Sequence, residues 1–219
     1  VAVTHNEKEQ ALELARKAVS LDPESATARI ALSYAHQAHF DLGAARKALL
    51  DAVEVAPENA LAWARLSEIQ ASFSHLDDAL ASARRAQELA PKLSHPQMVL
   101  GFAYLMQVKI EEAKEAFVKA IEFDQAAPLP RLGLGLAKIR EGDLEAGRRD
   151  IEIAASLNPN SSIIRSYLGK AYYEEKRTNL DDREFDIAKE LDPSDPTPYF
   201  YDAVNLQSEN RPVEALRNY

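Results

Sequence analysis

Hydrophobic positions recur along this chain with two superposed periods. Within windows of about 14 residues the apolar side chains stand three and four apart, which gathers them on one face of a helix. The windows come in pairs, divided by brief breaks at Asp41-Leu42-Gly43, Ser74-His75 and Gly142-Asp143. Pairs close on tripeptides of one form: Leu21-Asp22-Pro23, Val55-Ala56-Pro57, Leu89-Ala90-Pro91, Leu157-Asn158-Pro159 and Leu191-Asp192-Pro193. Their prolines lie 34, 34, 68 and 34 residues apart, and the middle of the long gap falls in Phe123-Asp124-Gln125, the same form without proline. The pattern predicts helix–turn–helix units, each ended by a proline that cannot continue the backbone ladder. A helix pair of this kind cannot bury its apolar face alone, so neighbours stack and share a core.

The register opens five full repeats, at 26–59, 60–93, 94–127, 128–161 and 162–195, within one array over 1–219. Before them stands part of a repeat (1–25) and after them another (196–219), which predicts about 12 helices, no strand, and a piece of a longer protein whose cut ends expose apolar faces for self-association. The fold class expected is all-α, a right-handed superhelical solenoid of antiparallel helix pairs.

Composition agrees with helix: only 7 glycines in 219 residues, 46% hydrophobic and 28% charged. A net charge of −9 with no Lys/Arg cluster to offset it speaks against nucleic acid. Zero cysteines exclude disulfides, thiolate metal sites and cysteine nucleophiles, and leave the compartment open. No stretch approaches the roughly 20 apolar residues of a membrane-spanning helix, so no membrane insertion of this segment is expected.

The repeated positions resemble the tetratricopeptide repeat over essentially the whole chain. Its small first-helix residue matches Ser33, Ser67, Gly101, Gly135 and Gly169, and the leucine before it Leu32, Leu66, Leu100, Leu134 and Leu168. The alanine opening the second helix matches Ala45, Ala79 and Ala113. The large residue four later matches Leu49, Phe117, Ile151 and Phe185, and the closing small residue Ala86, Ala120, Ala154 and Ala188. Trp63 falls at the family's tryptophan, Tyr104 and Tyr172 at its tyrosine. Three positions depart: Gly147 and Asp181 replace the alanine, and Asp202 a leucine. Burying an unpaired carboxylate is costly, so a lengthened turn with a late helix start is expected before Asp181.

The resemblance implies a protein–protein interaction scaffold whose first helices line a concave groove for a partner peptide or helix. A structural spacer without a groove ligand is the alternative. The groove-facing residues expected to bind are Ile30, Tyr34, Glu68, Met98, Phe102, Leu105, Met106, Leu132, Leu136, Ile139, Arg140, Lys170 and Tyr173. The Lys and Asn that hold a terminal carboxylate in chaperone-binding members are missing: Ile30, Ala64 and Met98 occupy one such row, Tyr34, Glu68 and Phe102 the other.

Catalytic chemistry finds no support. His36, His39 and His75 lack further ligands at metal spacing, and Gly133-Leu134-Gly135 lies inside a helical window rather than after a strand. No enzyme activity, cofactor or metal is expected. The segment from Asp192 to Leu216 weakly resembles large bacterial repeat proteins of the cell envelope, which tilts location toward the periplasm or envelope over the cytoplasm.

Overall fold

The computed structural model describes residues 5–177, 179–208 and 210. Among them stand twelve helices and no strand: α1 (His5–Leu21), α2 (Ala26–Ala38), α3 (Leu42–Val55), α4 (Ala60–Ser72), α5 (Leu76–Leu89), α6 (Ser94–Met106), α7 (Ile110–Phe123), α8 (Pro128–Glu141), α9 (Leu144–Leu157), α10 (Ser162–Glu174), α11 (Leu180–Leu191) and α12 (Pro196–Ser208). Val1, Tyr219 and the expected second helix of the last repeat lie outside the described residues.

The helices begin and end for local reasons. Ser25, Asp41, Asn59, Asp143 and Ser161 each accept a hydrogen bond from the backbone N–H three residues on, satisfying one orphan donor of the helix that follows. The turn inside each repeat is built the same way every time. Phe40, Ser74, Val108, Gly142 and Lys176, spaced 34 apart, all take the left-handed conformation with φ between 56° and 107°. In the first turn the Phe40 N–H bonds Gln37 O and the Asp41 N–H bonds His36 O, the Schellman pattern that closes a helix on such a residue. Only Gly142 adopts this backbone without steric cost. Val108 is β-branched and exposed, and a residue of its kind strains there by about 1 kcal/mol or more. Val108→Asn is therefore expected to stabilise the fold by about 0.5–1 kcal/mol in urea unfolding, since Asn tolerates the left-handed region.

The chain gathers into two compact units, Val1–Lys109 and Ile110–Tyr219. In the first, α2 pairs with α3 and α4 with α5. Then α1 packs on α2, α3 on α4 and α5 on α6, and the first helices α2, α4 and α6 touch in succession. Leu49, Ala52, Leu66 and Ile69 form its core, with Trp63 against them. The second unit repeats the arrangement: α8 pairs with α9, α10 with α11, and α7, α9 and α11 pack on α8, α10 and α12. Its core joins Leu132, Ile151, Ala154, Ile164 and Leu168.

The large second-helix residues fill the gaps that small ones open. A Cβ on Gly133 would stand 2.3 Å from the Phe117 ring, and one on Gly169 2.6 Å from Phe185. That contact accounts for Gly133 in the glycine-containing stretch of α8 by packing alone. The late start expected before Asp181 is present: α3, α5, α7 and α9 open at 42, 76, 110 and 144, whereas α11 opens at Leu180, two residues beyond the next period. The delay does not lift Asp181 out of the interior, contrary to expectation. Its side chain is buried, and its Oδ1 accepts the Asp182 N–H at 3.0 Å. Asp202 meets Lys189 of α11 in an ion pair, which explains a carboxylate at a leucine position.

Candidate functional site

Residues 34 apart occupy equivalent places on successive first helices, so each unit presents ordered rows. In the first unit, Tyr34 of α2 and Glu68 of α4 share a row, joined by a polar network. The Arg65 guanidinium lies 3.8 Å from the Tyr34 ring centroid, donates to Glu68 Oε2 at 2.8 Å and also bonds Gln37. His95 of α6 stands 3.3 Å from Glu68 Oε1. Burial works to raise the Glu68 pKa, but the hydrogen bonds from His95 and Arg65 outweigh it and hold the carboxyl below its ordinary value. Burial, and then the nearby Glu68 charge, raise that of the Tyr34 hydroxyl. The Arg65–Glu68 pair of α4 thus reaches α2 through Tyr34 and Gln37 and α6 through His95.

In the second unit, Lys170 pairs with Glu174 and stands 5.9 Å over the Tyr201 ring, which in turn stacks on Phe185. Leu129 of α8 and Ile163 of α10, at the same repeat position, are 39% and 45% exposed. Tyr173 and Lys170 are half-buried further along α10, and Arg140 is exposed at the end of α8.

These placements correct part of the expected groove. Met98, Leu105 and Leu132 are buried, at 8%, 8% and 3% exposure, rather than open to a partner. Ile30 packs against the core of the first unit, and Leu136 and Ile139 against that of the second. The physical reason is the close stacking of neighbouring helices, which draws these rows inward. Tyr34, Met106 and Arg140 remain exposed, and Glu68, Phe102, Lys170 and Tyr173 half-exposed. Sequence reasoning left the groove-facing Leu129 and Ile163 out of the binding set, although both stay exposed at the same repeat position.

It also missed a buried ion cluster. Arg148 of α9 donates from Nε to both oxygens of Glu175, each at 2.9 Å, and pairs with Glu152. Tyr172 donates its hydroxyl to the same Glu152 at 2.8 Å, and burial together with that bond pushes its pKa up to about 12. One repeat earlier, Lys114 meets Glu141 at 2.8 Å across the same 27-residue spacing. His36 and His39 each face a different carboxylate, Asp41 and Glu9, at 3.9 Å. Among the described residues no three His, Asp or Glu side chains come together as metal ligands, and no helix is long and apolar enough to cross a membrane.

Stacked helix pairs in a 34-residue register, with rows of side chains along successive first helices, define a helical-repeat scaffold. The family model described as tetratricopeptide repeat matches residues 33–94 and 132–196, and the chain belongs to that family. No curated protein matches the sequence. Among solved structures, the Cut9–Hcn1 hetero-tetramer of APC/C is similar over 97% of this chain at 19% identity and a TM-score of 0.83; this chain spans only 42% of that one. The thermophilic protein TTC0263 of Thermus thermophilus matches over 88% of this chain and 99% of its own, at 20% identity and a TM-score of 0.74. YrrB, a tetratricopeptide protein with an unusual peptide-binding site, matches over 86% of this chain and 97% of its own, at 16% identity and a TM-score of 0.54. At these identities the likeness concerns the fold. Such a fold serves as a scaffold for protein–protein interaction, and tetratricopeptide proteins are generally not enzymes.

Proposed function

We propose that this chain is the interaction module of a larger bacterial protein and binds a polypeptide partner along its first helices. The observation that carries the reading is the pair Leu129 and Ile163. Both are large apolar side chains left open to solvent at the same repeat position of α8 and α10. Beside them Lys170 and Tyr173 continue the α10 face, and the buried Leu132 and Ser166 form its floor. Exposed apolar side chains beside the Lys170–Glu174 pair suit a partner segment that presents apolar residues in a polar frame. YrrB, of similar fold, has a peptide-binding site, which adds weight to a peptide as the ligand here.

The spacer reading draws on a different observation, the burial of Met98, Leu105 and Leu132, which closes much of the expected groove. A photo-crosslinking residue placed at 163, with another at the exposed Val118 of α7 as reference, separates the two. Site-selective capture of one partner at 163 is expected. Ile163→Asp should then weaken binding of that purified partner at least tenfold, about 1.4 kcal/mol, while the melting curve stays unchanged. Equal crosslinking at both positions, or none, would favour the spacer.

A further inference from the structure

The turns that join paired helices differ between the two units. In the first, Phe40 and Val108 sit at the left-handed position, with φ of 59° and 61°, and are 88% and 57% exposed. Phe73 and Met106, just before that position in their own turns, are 38% and 42% exposed. In the second unit the left-handed position holds Gly142 and Lys176. Ser74 and Gly142 close the same turn without an apolar side chain, so the turn itself does not require one. Phe40 and Val108 both strain the backbone and stand in water, a double cost that folding does not explain and that points to a use outside the fold.

Helices α2, α4 and α6 pack side by side, so the turns that follow them line one edge of the unit. Stacking of repeats leaves that edge uncovered, and the α4–α5 turn has a described turn on either side. The edge is braced: Gln107 donates to Leu76 O at 3.0 Å and to Asp77 Oδ1 at 3.1 Å, which ties the third turn to the second. Phe73 stacks on His75, ring centroids 5.9 Å apart. Packed helix axes lie roughly 8–10 Å apart, so the apolar side chains recur at about that interval. Seven residues of α-helix advance about 10.5 Å and return to nearly the same face, which matches it. A strand repeats one face every ~7 or ~13 Å and does not.

Charge narrows the partner further. The exposed carboxylates Glu9, Asp41, Asp77 and Asp78 frame the row, whereas its cations, Lys8 and Lys109, are half-buried, and Lys8 already lies 5.8 Å over the Phe40 ring. A second copy of the chain, or an anionic lipid surface, would meet like charge there. We propose that this turn edge docks a basic amphipathic helix of another polypeptide. Apolar residues seven apart on that helix meet Phe40, Phe73 and Val108 in successive turns, and its Lys or Arg residues face Asp41, Asp77 and Asp78. The surface is separate from Leu129 and Ile163 and stands whether or not a partner binds there.

The probe is a fluorescein-labelled, stapled peptide of about 18 residues, long enough at about 1.5 Å per residue to cross three turns. It carries Leu at i, i+7 and i+14 with Lys beside them, and a peptide of equal composition with Leu five apart serves as reference. Fluorescence polarisation should show saturable one-to-one binding that the reference lacks and that weakens as salt rises. The double variant Phe40→Asn with Val108→Asn should raise the urea midpoint, because Asn tolerates the left-handed backbone, and yet weaken binding about tenfold or more. Asp78→Lys should weaken it too, while Ile163→Asp leaves it unchanged. Binding that the double Asn variant retains, equal binding of the reference, or no saturation would overturn the proposal. So would cosedimentation with phosphatidylcholine vesicles, or a dimer in sedimentation velocity, that the double variant abolishes, because the row would then face lipid or a second copy.

Discussion

Restoring the family's alanine at position 147 should destabilise this protein. In most repeats an alanine opens the contact between paired helices, yet Gly147 faces Gly135 so closely that a Cβ would meet the Gly135 carbonyl oxygen at 2.6 Å and Ile139 Cγ1 at 2.5 Å. A carbonyl is backbone and cannot swing aside, so α8 and α9 would have to separate. Alanine gains about 1 kcal/mol in helix propensity over glycine. Overpacking against backbone costs at the upper end of the usual 1–3 kcal/mol or beyond. The expected net loss for Gly147→Ala is about 2 kcal/mol in urea unfolding, and Gly135→Ala, whose Cβ would meet the Gly147 carbonyl oxygen at 2.6 Å, should behave alike. Gly43 supplies the contrast. Its nearest neighbour would be Asp41 Oδ1 at 3.7 Å, so Gly43→Ala should stabilise by about 0.5–1 kcal/mol. If Gly147→Ala also stabilised, the close approach of α8 and α9 would be wrong.

Arg148→Ala is expected to cost more, about 3 kcal/mol. Arg148 and Glu175 have side chains only 8% and 9% exposed, and the pair holds α9 to the end of α10. Removing the cation leaves the Glu175 carboxylate in the interior with only the more exposed Arg177, 2.7 Å away, as partner, and it also takes a donor from Glu152. Breaking one side of a buried pair leaves the other charge uncompensated, which is why the loss exceeds that of the pair as a whole. The double variant Arg148→Met with Glu175→Gln should recover most of the stability, read as the urea midpoint. Lys114→Ala, at the same place in the preceding repeat but with partners Glu111 and Glu141 open to solvent, should move the midpoint little. Equal losses at 114 and 148 would show that burial is not what sets the effect.

Helix, turn and repeat boundaries were legible from the residues because the rules that make them act over a few positions. A proline stops a helix wherever it stands, an Asp or Ser caps the N–H groups that follow, and apolar residues three and four apart define a face without reference to the rest of the chain. The breaks at Asp41-Leu42-Gly43 and Gly142-Asp143 became the left-handed turns at Phe40 and Gly142, and the unusual turn before Asp181 became the late start of α11. Which apolar row stays open was not legible. Met98 and Met106 lie on one helix two turns apart, and only their surroundings, not their periodicity, make one buried and the other exposed. The same holds for Arg148, whose partner Glu175 is 27 residues away, and for the approach of Gly135 to Gly147. The sequence alone determined a tetratricopeptide array and its register. Only the tertiary structure decided which side chains that register leaves open to solvent, because stacking distance and tilt, set jointly by residues from different helices, choose which row each contact covers.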